Sequence, residues 1–246
     1  MPWPEIRYLD ATRPEVAANL ALDEALLVDA EERGGPAVLR VWESARYAVV
    51  LGASCRMAED VLVDACAADG VAIVRRSSGG GTVVIGPGAL NFSVILPIEA
   101  HAELKAVDAA QRFVLGRVAE SIRAVGPPVE MLGSGDLTLG LRKFSGSAQR
   151  RLRRHVLVHA SLLYDFEVDR IGRYTRMPPR SPAYRGGRPH GDFVANLPLP
   201  RADLLEAIRR AWLPGGPAGD PVAIPEDLLR ALFEAKFSDN GWIGRL

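Results

Sequence analysis

Arg75-Arg76-Ser77-Ser78-Gly79-Gly80-Gly81-Thr82-Val83 is the stretch on which the reading of this chain turns. On its two sides, residues 71–76 (VAIVRR) and 82–85 (TVVI) are short β-rich runs that predict strands. Three consecutive glycines between strands do little to build a sheet. They let the backbone take positive φ and come close to a ligand. Such a loop offers N–H groups to an anion or a carbonyl, here with two arginines beside it. The plain alternative is a flexible hairpin loop. It is not a phosphate loop of the GxxxxGK[ST] kind, because no lysine follows, and it is not GxGxxG.

A second stretch, Arg142-Lys143-Phe144-Ser145-Gly146-Ser147-Ala148-Gln149-Arg150, carries the next signal. Only Lys105, Lys143 and Lys236 among the thirty basic residues are lysine. In a chain that uses arginine this freely, a lysine beside a run of small residues points to function. Its compact ammonium can meet a carboxylate or phosphate oxygen, and small neighbours leave room for a substrate. From Arg142 to Arg154 there are six basic residues and no acidic one. The plain alternative is a solvated basic edge strand.

Outward from these stretches the pattern alternates irregularly. An amphipathic helix is predicted over 15–33, stopped by Gly34-Gly35, and another over 59–69, ending at Gly70. Residues 37–42 and 47–52 predict two strands around the Glu43–Arg46 turn, and 82–85 and 90–97 two more around Gly86-Pro87-Gly88. A long helix is predicted over 104–124, strands near 136–139, 143–149 and 156–165, and helices over 167–175, 201–212 and 226–237. Residues 176–195 read as a long loop, and Pro214–Pro221 as a short Pro/Gly loop within the domain. Clustered strands with interspersed helices argue for an α+β (mixed α/β) domain and against a regular βαβ array.

Composition narrows the function classes. The 246 residues suit one domain, 1–246. Thirty basic residues balance thirty acidic ones, which disfavours a nucleic-acid binder. Two cysteines, Cys55 and Cys66, exclude a disulfide scaffold and a zinc site built on cysteine, and they fit the cytoplasm. No apolar run approaches the length of a membrane span, and Met1–Glu5 does not begin a leader peptide. No H-x-x-x-H or Cys/His cluster supports a metal site, and no G-x-S-x-G supports a serine hydrolase. His159, in an apolar run, reads first as a satisfied core histidine.

Together the two stretches resemble the lipoate-protein ligase/octanoyltransferase branch of the biotin/lipoate ligase superfamily. Its first signature, R-R-x-S-G-G-G-x-V, is matched by Arg75–Val83, and Asn91-Phe92-Ser93 follows, with shorter spacing, where the family has N-x-x-x-S. Its second, D-[LI] and then K-[KIF]-[SA]-G-S-A-x-R, is matched by Asp136-Leu137 and Lys143–Arg150. His159-Ala160-Ser161-Leu162-Leu163 matches a third segment. Asn19–Glu24 and Tyr184–Leu197 are weaker echoes of the family's first helix and closing loop. The resemblance implies a mixed, largely antiparallel sheet packed by helices. It implies an acyl groove under the glycine loop and Lys143 as catalytic residue. It further implies acyl or nucleotide binding by Arg75, Arg76, Ser78, Gly79, Gly80, Gly81, Thr82, Asn91, Asp136, Ser145, Gly146, Ser147, Ala148 and His159. The implied reaction joins lipoate or octanoate to ATP, with Mg2+, as an acyl-adenylate. The acyl group then passes to a lysine of a lipoyl-domain protein, such as the E2 subunit of a 2-oxoacid dehydrogenase or a glycine-cleavage H-type protein. The basic run 142–154 would steer that docking.

The chain departs from the pattern in places. The His-Asp that ligases carry after GGG-x-V is replaced by Ile85-Gly86-Pro87-Gly88-Ala89, and the residue before Asp136 is Gly135 rather than Asn. The larger ligases have a C-terminal accessory domain, whereas the resemblance here covers about residues 15–240 and the catalytic domain is expected to stop near Arg245, so a separate chain is the implied source if it is needed. The sister transferases use a cysteine shortly before D-L, where this chain has Glu130-Met131-Leu132-Gly133-Ser134-Gly135. Cys55 is the alternative nucleophile, against the plain reading of a small buried hydrophobe. The expectations are therefore an ATP-dependent ligase, an ATP-independent octanoyl or lipoyl transferase between carrier proteins, or a non-catalytic subunit of a two-chain ligase.

Overall fold

A computed structural model describes residues 4–213, 215–216 and 222–246. The apolar run ALNFSVILP at 89–97 lies at its centre. A strand this continuously apolar needs cover on both faces, and residues 89–96 are all buried. In chain order the elements are β1 (Ile6–Asp10), α1 (Val16–Arg33), β2 (Ala37–Glu43), β3 (Ala48–Leu51), α2 (Met57–Asp60), α3 (Val63–Ala68), β4 (Ala72–Arg75), β5 (Val83–Ile85), β6 (Ala89–Pro97) and α4 (Val107–Arg123). There follow β7 (Val129–Leu132), β8 (Asp136–Leu139), β9 (Arg142–Arg151), β10 (His155–Leu163), α5 (Asp169–Tyr174), α6 (His190–Phe193), α7 (Arg201–Trp212), α8 (Glu226–Leu232) and α9 (Asn240–Ile243).

The strands form two sheets. The larger has seven strands in the order β1-β2-β6-β10-β9-β8-β7, antiparallel except between β1 and β2. The smaller is β4-β3-β5, with β4 parallel and β5 antiparallel to β3. This is the α+β architecture that the sequence predicts.

Strand alternation divides the larger sheet into two faces. On β10, Val156, Val158, Ala160 and Leu162 join a core with α4 and α7, whose Val114, Val118, Leu204 and Ile208 fill it. The other face is covered by α1, and Leu157 and Ile95 meet Leu22, Leu26 and Leu27 there. α1 ends as predicted, at Gly34 with φ 66°, whose N–H caps the Ala30 carbonyl. The smaller sheet packs Val49, Leu51 and Val84 against Phe166, Tyr174 and Phe193 in a third core.

Several local expectations change. The run 59–69 is not one helix but α2 and α3, because Val61 bridges to Thr175 and the Leu62 N–H bonds the Tyr174 carbonyl. The strands at 37–42 and 47–52 do not pair as a hairpin, since β2 joins the larger sheet and β3 the smaller. The same holds for β5 and β6. The helix predicted at 226–237 runs as α8 and then a π-turn at Phe233–Phe237. β1 and β7 are additional. The 176–195 segment contains a 3-10 turn at Ala183–Arg185 and the short α6. Apart from residues 215 and 216, the loop expected at 214–221 lies outside the described residues. No helix among the described residues is long and apolar enough to cross a membrane.

Candidate active site

The α1-facing side of the larger sheet is apolar at one end and small or polar at its middle. One cross-strand row runs Arg40, Ser93, His159, Ala148, and the next runs Trp42, Asn91, Ser161, Gly146. The glycine loop between β4 and β5 lies against the first row. Ser78, buried, meets His159 Nε2 at 2.7 Å, and a Cβ on Gly80 would lie 3.6 Å from Ala148 Cβ. Gly79–Gly81 form the exposed tip, with Gly80 at φ 86°, the left-handed region that a side chain disfavours.

The two arginines beside the loop hold it in shape. Arg76 is buried and donates to the carbonyls of Gly79 (2.7 Å), Gly81 (2.8 Å) and Val50 (3.3 Å). Burial pushes its guanidinium down to about 10, still cationic at neutral pH. Arg75 is fully buried and ties the 52–55 turn to the C-terminal segment, donating to the carbonyls of Gly52 (2.9 Å), Cys55 (2.7 Å) and Ile243 (2.9 Å). Thr82 bonds Asp60 Oδ2 at 2.5 Å. These three predicted binding residues thus have internal partners. Cys55 is partly exposed beside the loop, its Sγ 3.4 Å from the Gly80 carbonyl oxygen.

Under the loop lies a buried polar chain. Asp23 on α1 takes Arg40 at 2.5 Å and the Ser93 hydroxyl at 2.7 Å, and its Oδ2 stands 3.8 Å from His159 Nδ1. Burial opposes ionisation of Asp23, but Arg40, with His159 and Ser93, outweighs it and holds the carboxyl below its ordinary range. His159 is a partnered histidine, as the sequence suggests, and its partner is the loop serine. The sequence signal for Asp23 was its spacing: Asn19 and Asp23 are i,i+4 on α1, so both project from the face that Leu20 and Leu27 bury.

Lys143 is aimed by a bulge. Leu137 opposes Ser145, yet Thr138 opposes Lys143, so Phe144 is an extra residue on β9. Residues three apart on a regular strand point to opposite faces. The bulge instead brings Lys143 and Gly146 onto one face, and a Cβ on Gly146 would sit 2.9 Å from Lys143 Nζ. The ammonium pairs with Asp136 Oδ1 at 2.7 Å. Of the small-residue run, Gly146 and Ala148 face the glycine loop. Ser145 and Ser147 turn to the opposite face, where Ser147 takes Gln111 and bonds the Gly135 carbonyl. Asn91 is internally bonded to the Trp42 and Ala89 carbonyls and accepts from Ser161. The structure therefore gathers Lys143, Asp136, Gly146, Ala148, His159, Ser78 and Gly79–Gly81 around one surface. The basic run is largely spent on internal contacts. Arg142 bonds the Val194 carbonyl, Arg151 the Leu104 carbonyl, and Arg154 pairs with Glu31. A cavity of about 280 Å³ lined by Asp169, Thr175, Met177 and His190 shares no residue with this constellation.

The chain matches the family model for the lipoyl protein ligase A/B catalytic domain over residues 15–204. A protein of Aeropyrum pernix named for lipoate-protein ligase A is 33% identical over 155 residues, 63% of this chain and 56% of that protein. The octanoyltransferase LipM of Carboxydothermus hydrogenoformans is 27% identical and covered nearly end to end, 97% of this chain and 98% of that one. The chain spans about half the length of the curated ligases it matches. In structure, it superposes on a chain of a bi-partite lipoate protein ligase and its E2 lipoyl domain from Thermoplasma acidophilum with a TM-score of 0.83. That pair shares 24% identity over 99% of this chain and 98% of that one. Lipoate-protein ligase A bound with ATP gives a TM-score of 0.82 at 23% identity over 99% and 100%. These likenesses agree on the fold, and the model match covers both the glycine loop and the lysine strand: the chain belongs to the lipoyl protein ligase A/B catalytic-domain family.

Proposed function

We propose that this chain is an ATP-dependent protein ligase that attaches lipoate or octanoate to a lysine of a lipoyl-domain protein. The observation that carries the reading is the placement of the Lys143 ammonium over Gly146, on the same sheet face as the glycine loop. A carboxylate oxygen of the acid attacks the α-phosphorus of ATP, and pyrophosphate leaves. The amine of the acceptor lysine then attacks the acyl carbonyl, loses a proton, and AMP leaves. Lys143 stabilises charge developing on the phosphate oxygens of the first step. The loop carbonyls of Gly79–Gly81 are engaged by Arg76 and Cys55, so N–H groups are what the loop offers to an acyl carbonyl or phosphate. Ala148, Gly146 and Trp42 give the acyl chain an uncharged floor. Held in one geometry, acid and nucleotide react as if intramolecular.

Among the described residues, no group of three or more His, Cys, Asp or Glu is placed to hold a metal ion. Mg2+ would come as a companion of the nucleotide, held through its phosphates, because both oxygens of Asp136, the carboxylate beside Lys143, already have partners. There it would neutralise phosphate charge. The acceptor is an E2 or H-type lipoyl domain in the cytoplasm, and the residues 1–246 act as one catalytic domain. If an accessory domain is needed, a second chain supplies it, as the bi-partite naming of the Thermoplasma protein suggests.

A second reading is an ATP-independent octanoyl or lipoyl transferase. The end-to-end match to LipM and the placement of Cys55 beside Gly80 favour it. Against it, the stretch Glu130–Gly135 before Asp136-Leu137, where the resemblance implies the sister enzymes' cysteine, holds none, and its Met131 packs on the core. Mass measurement on a lipoyl domain tests the two together. The ligase reading expects an acyl mass gain that requires ATP and the free acid. A gain from an octanoylated carrier without ATP supports the transferase and overturns the ligase.

A further inference from the structure

One carboxylate in the site has two partners. Asp136 Oδ1 holds Lys143 Nζ at 2.7 Å, and Asp136 Oδ2 accepts the Tyr184 hydroxyl at 2.7 Å. Tyr184 comes from the 176–195 segment, far in sequence from both. We propose that Tyr184 is a positioning residue for the reaction: by occupying Oδ2 it fixes the Asp136 carboxylate and draws off part of its charge, so that Lys143 stays over Gly146 yet remains available to an anionic ligand. This rests on the reading of Lys143 as the group that meets acyl and phosphate oxygens.

The surroundings show a built contact. The Tyr184 ring packs on Phe193, centroids 5.3 Å apart, and Phe193 lies under the guanidinium groups of Arg185 (4.7 Å) and Arg188 (5.3 Å). Arg188 fastens the segment to β9's approach by donating to the Leu141 carbonyl, and also donates to the Tyr184 carbonyl. The Ala195 N–H bonds the Lys143 carbonyl, so the same segment grips the lysine's backbone. The turn at Gly133 borders the pair: a Cβ there would lie 3.6 Å from the Tyr184 ring and 3.8 Å from Asp136 Oδ2. Burial, with the Asp136 charge, pushes the phenol well above its ordinary range, so it stays protonated and donates at neutral pH. A hydrogen bond to a carboxylate is charge-assisted and strong. Without it, a lysine–carboxylate pair only partly open to solvent would compete with any ligand for the same ammonium.

The substitution Tyr184→Phe keeps the ring on Phe193 and removes only the hydroxyl. In acyl-dependent ATP–pyrophosphate exchange, kcat/KM for the acid falls about tenfold, chiefly through KM, as expected for a coupled pair in contact. In an Asp136→Asn background the same substitution has no further effect. The reaction of Lys143 with an amine-directed reagent, followed at that residue by mass spectrometry, slows several-fold in Tyr184→Phe and needs no turnover. Unchanged kinetics and labelling would overturn the proposal, and so would an equal loss in the Asp136→Asn background, because Tyr184 would then not act through Asp136. If the unsubstituted protein gives no exchange with lipoate or octanoate, the ligase reading fails, and the labelling comparison still decides the role of Tyr184.

Discussion

Lys143 is conspicuous in the sequence as one of three lysines in an arginine-rich chain, and each lysine has an acidic partner. Lys105 pairs with Glu99, Lys236 with Glu24, and Lys143 with Asp136. Only Lys143 stands opposite a glycine loop. Cys55 poses the sharper question, because it lies beside that loop, but the guanidinium groups nearest it, Arg75 and Arg76, are committed to backbone carbonyls and its own thiol meets the Gly80 carbonyl. A thiol nucleophile needs a thiolate, and a nearby base or cation provides it. The account therefore predicts that Cys55→Ala keeps acyl attachment to a lipoyl domain within about twofold, far from the loss of several orders of magnitude that removing a nucleophile causes. Steady-state transfer rates of the variant check this, and a collapse in rate would move the chemistry to Cys55.

At the level of elements, the bulge at Phe144 is what the site depends on, because it turns Lys143 onto the face of Gly146 and Ala148. A methyl group at position 146 would meet Lys143 Cε at 3.0 Å as well as Nζ. The far end of a lysine can swing away at little cost to the fold. Gly146→Ala should thus lower adenylation by more than tenfold, on the scale of one misplaced catalytic group, while shifting the melting temperature by no more than a few degrees. Exchange kinetics beside calorimetry separate the two effects. Most of this was legible in the chain. The apolar periodicities of α1, α4 and α7, the Gly34 stop and the motif strands fell where predicted, because each buries a regular face. The bulge was not legible, since the run KFSGSA has the same composition with or without it. Tyr184 stood only in the weak echo of the closing loop, with nothing to point at Asp136: that partner lies 48 positions away in sequence and meets it only once the 176–195 segment folds over β9. The two apparent hairpins failed for a related reason. Their turns look local, yet in each the second strand is needed by the other sheet. Arg75 and Arg76, read as ligand groups beside the loop, have backbone carbonyls as partners: Arg76 satisfies those of the glycine loop, and Arg75 those of the 52–55 turn and the C-terminal segment.

Across the whole molecule, the polar chain Arg40–Asp23–His159–Ser78 joins α1, the larger sheet and the glycine loop through one buried charge pair. Removing one partner of such a pair costs about 3–5 kcal/mol, so Asp23→Ala should lower stability by that order in denaturant unfolding. The pair also ties stability to acid. Asp23 has a folded-state pKa below its ordinary 3.8, so the folded chain binds fewer protons there than the unfolded one. Its contribution is complete above that ordinary value and drains away as pH falls below it toward the depressed folded value. The melting temperature should therefore drop more steeply below pH 3.8 in the natural chain than in an Arg40→Met, Asp23→Leu double variant, and calorimetry across that range checks it. Equal slopes would mean that other carboxyl groups set the acid limit. The central claim concerns chemistry, and acyl-dependent exchange of labelled pyrophosphate into ATP, with the natural chain and Lys143→Ala side by side, tests it most directly. The account predicts exchange with lipoate or octanoate that Lys143→Ala lowers by at least about a hundredfold, the scale of losing one preorganised electrostatic group. No exchange with either acid, or full exchange in Lys143→Ala, would contradict it.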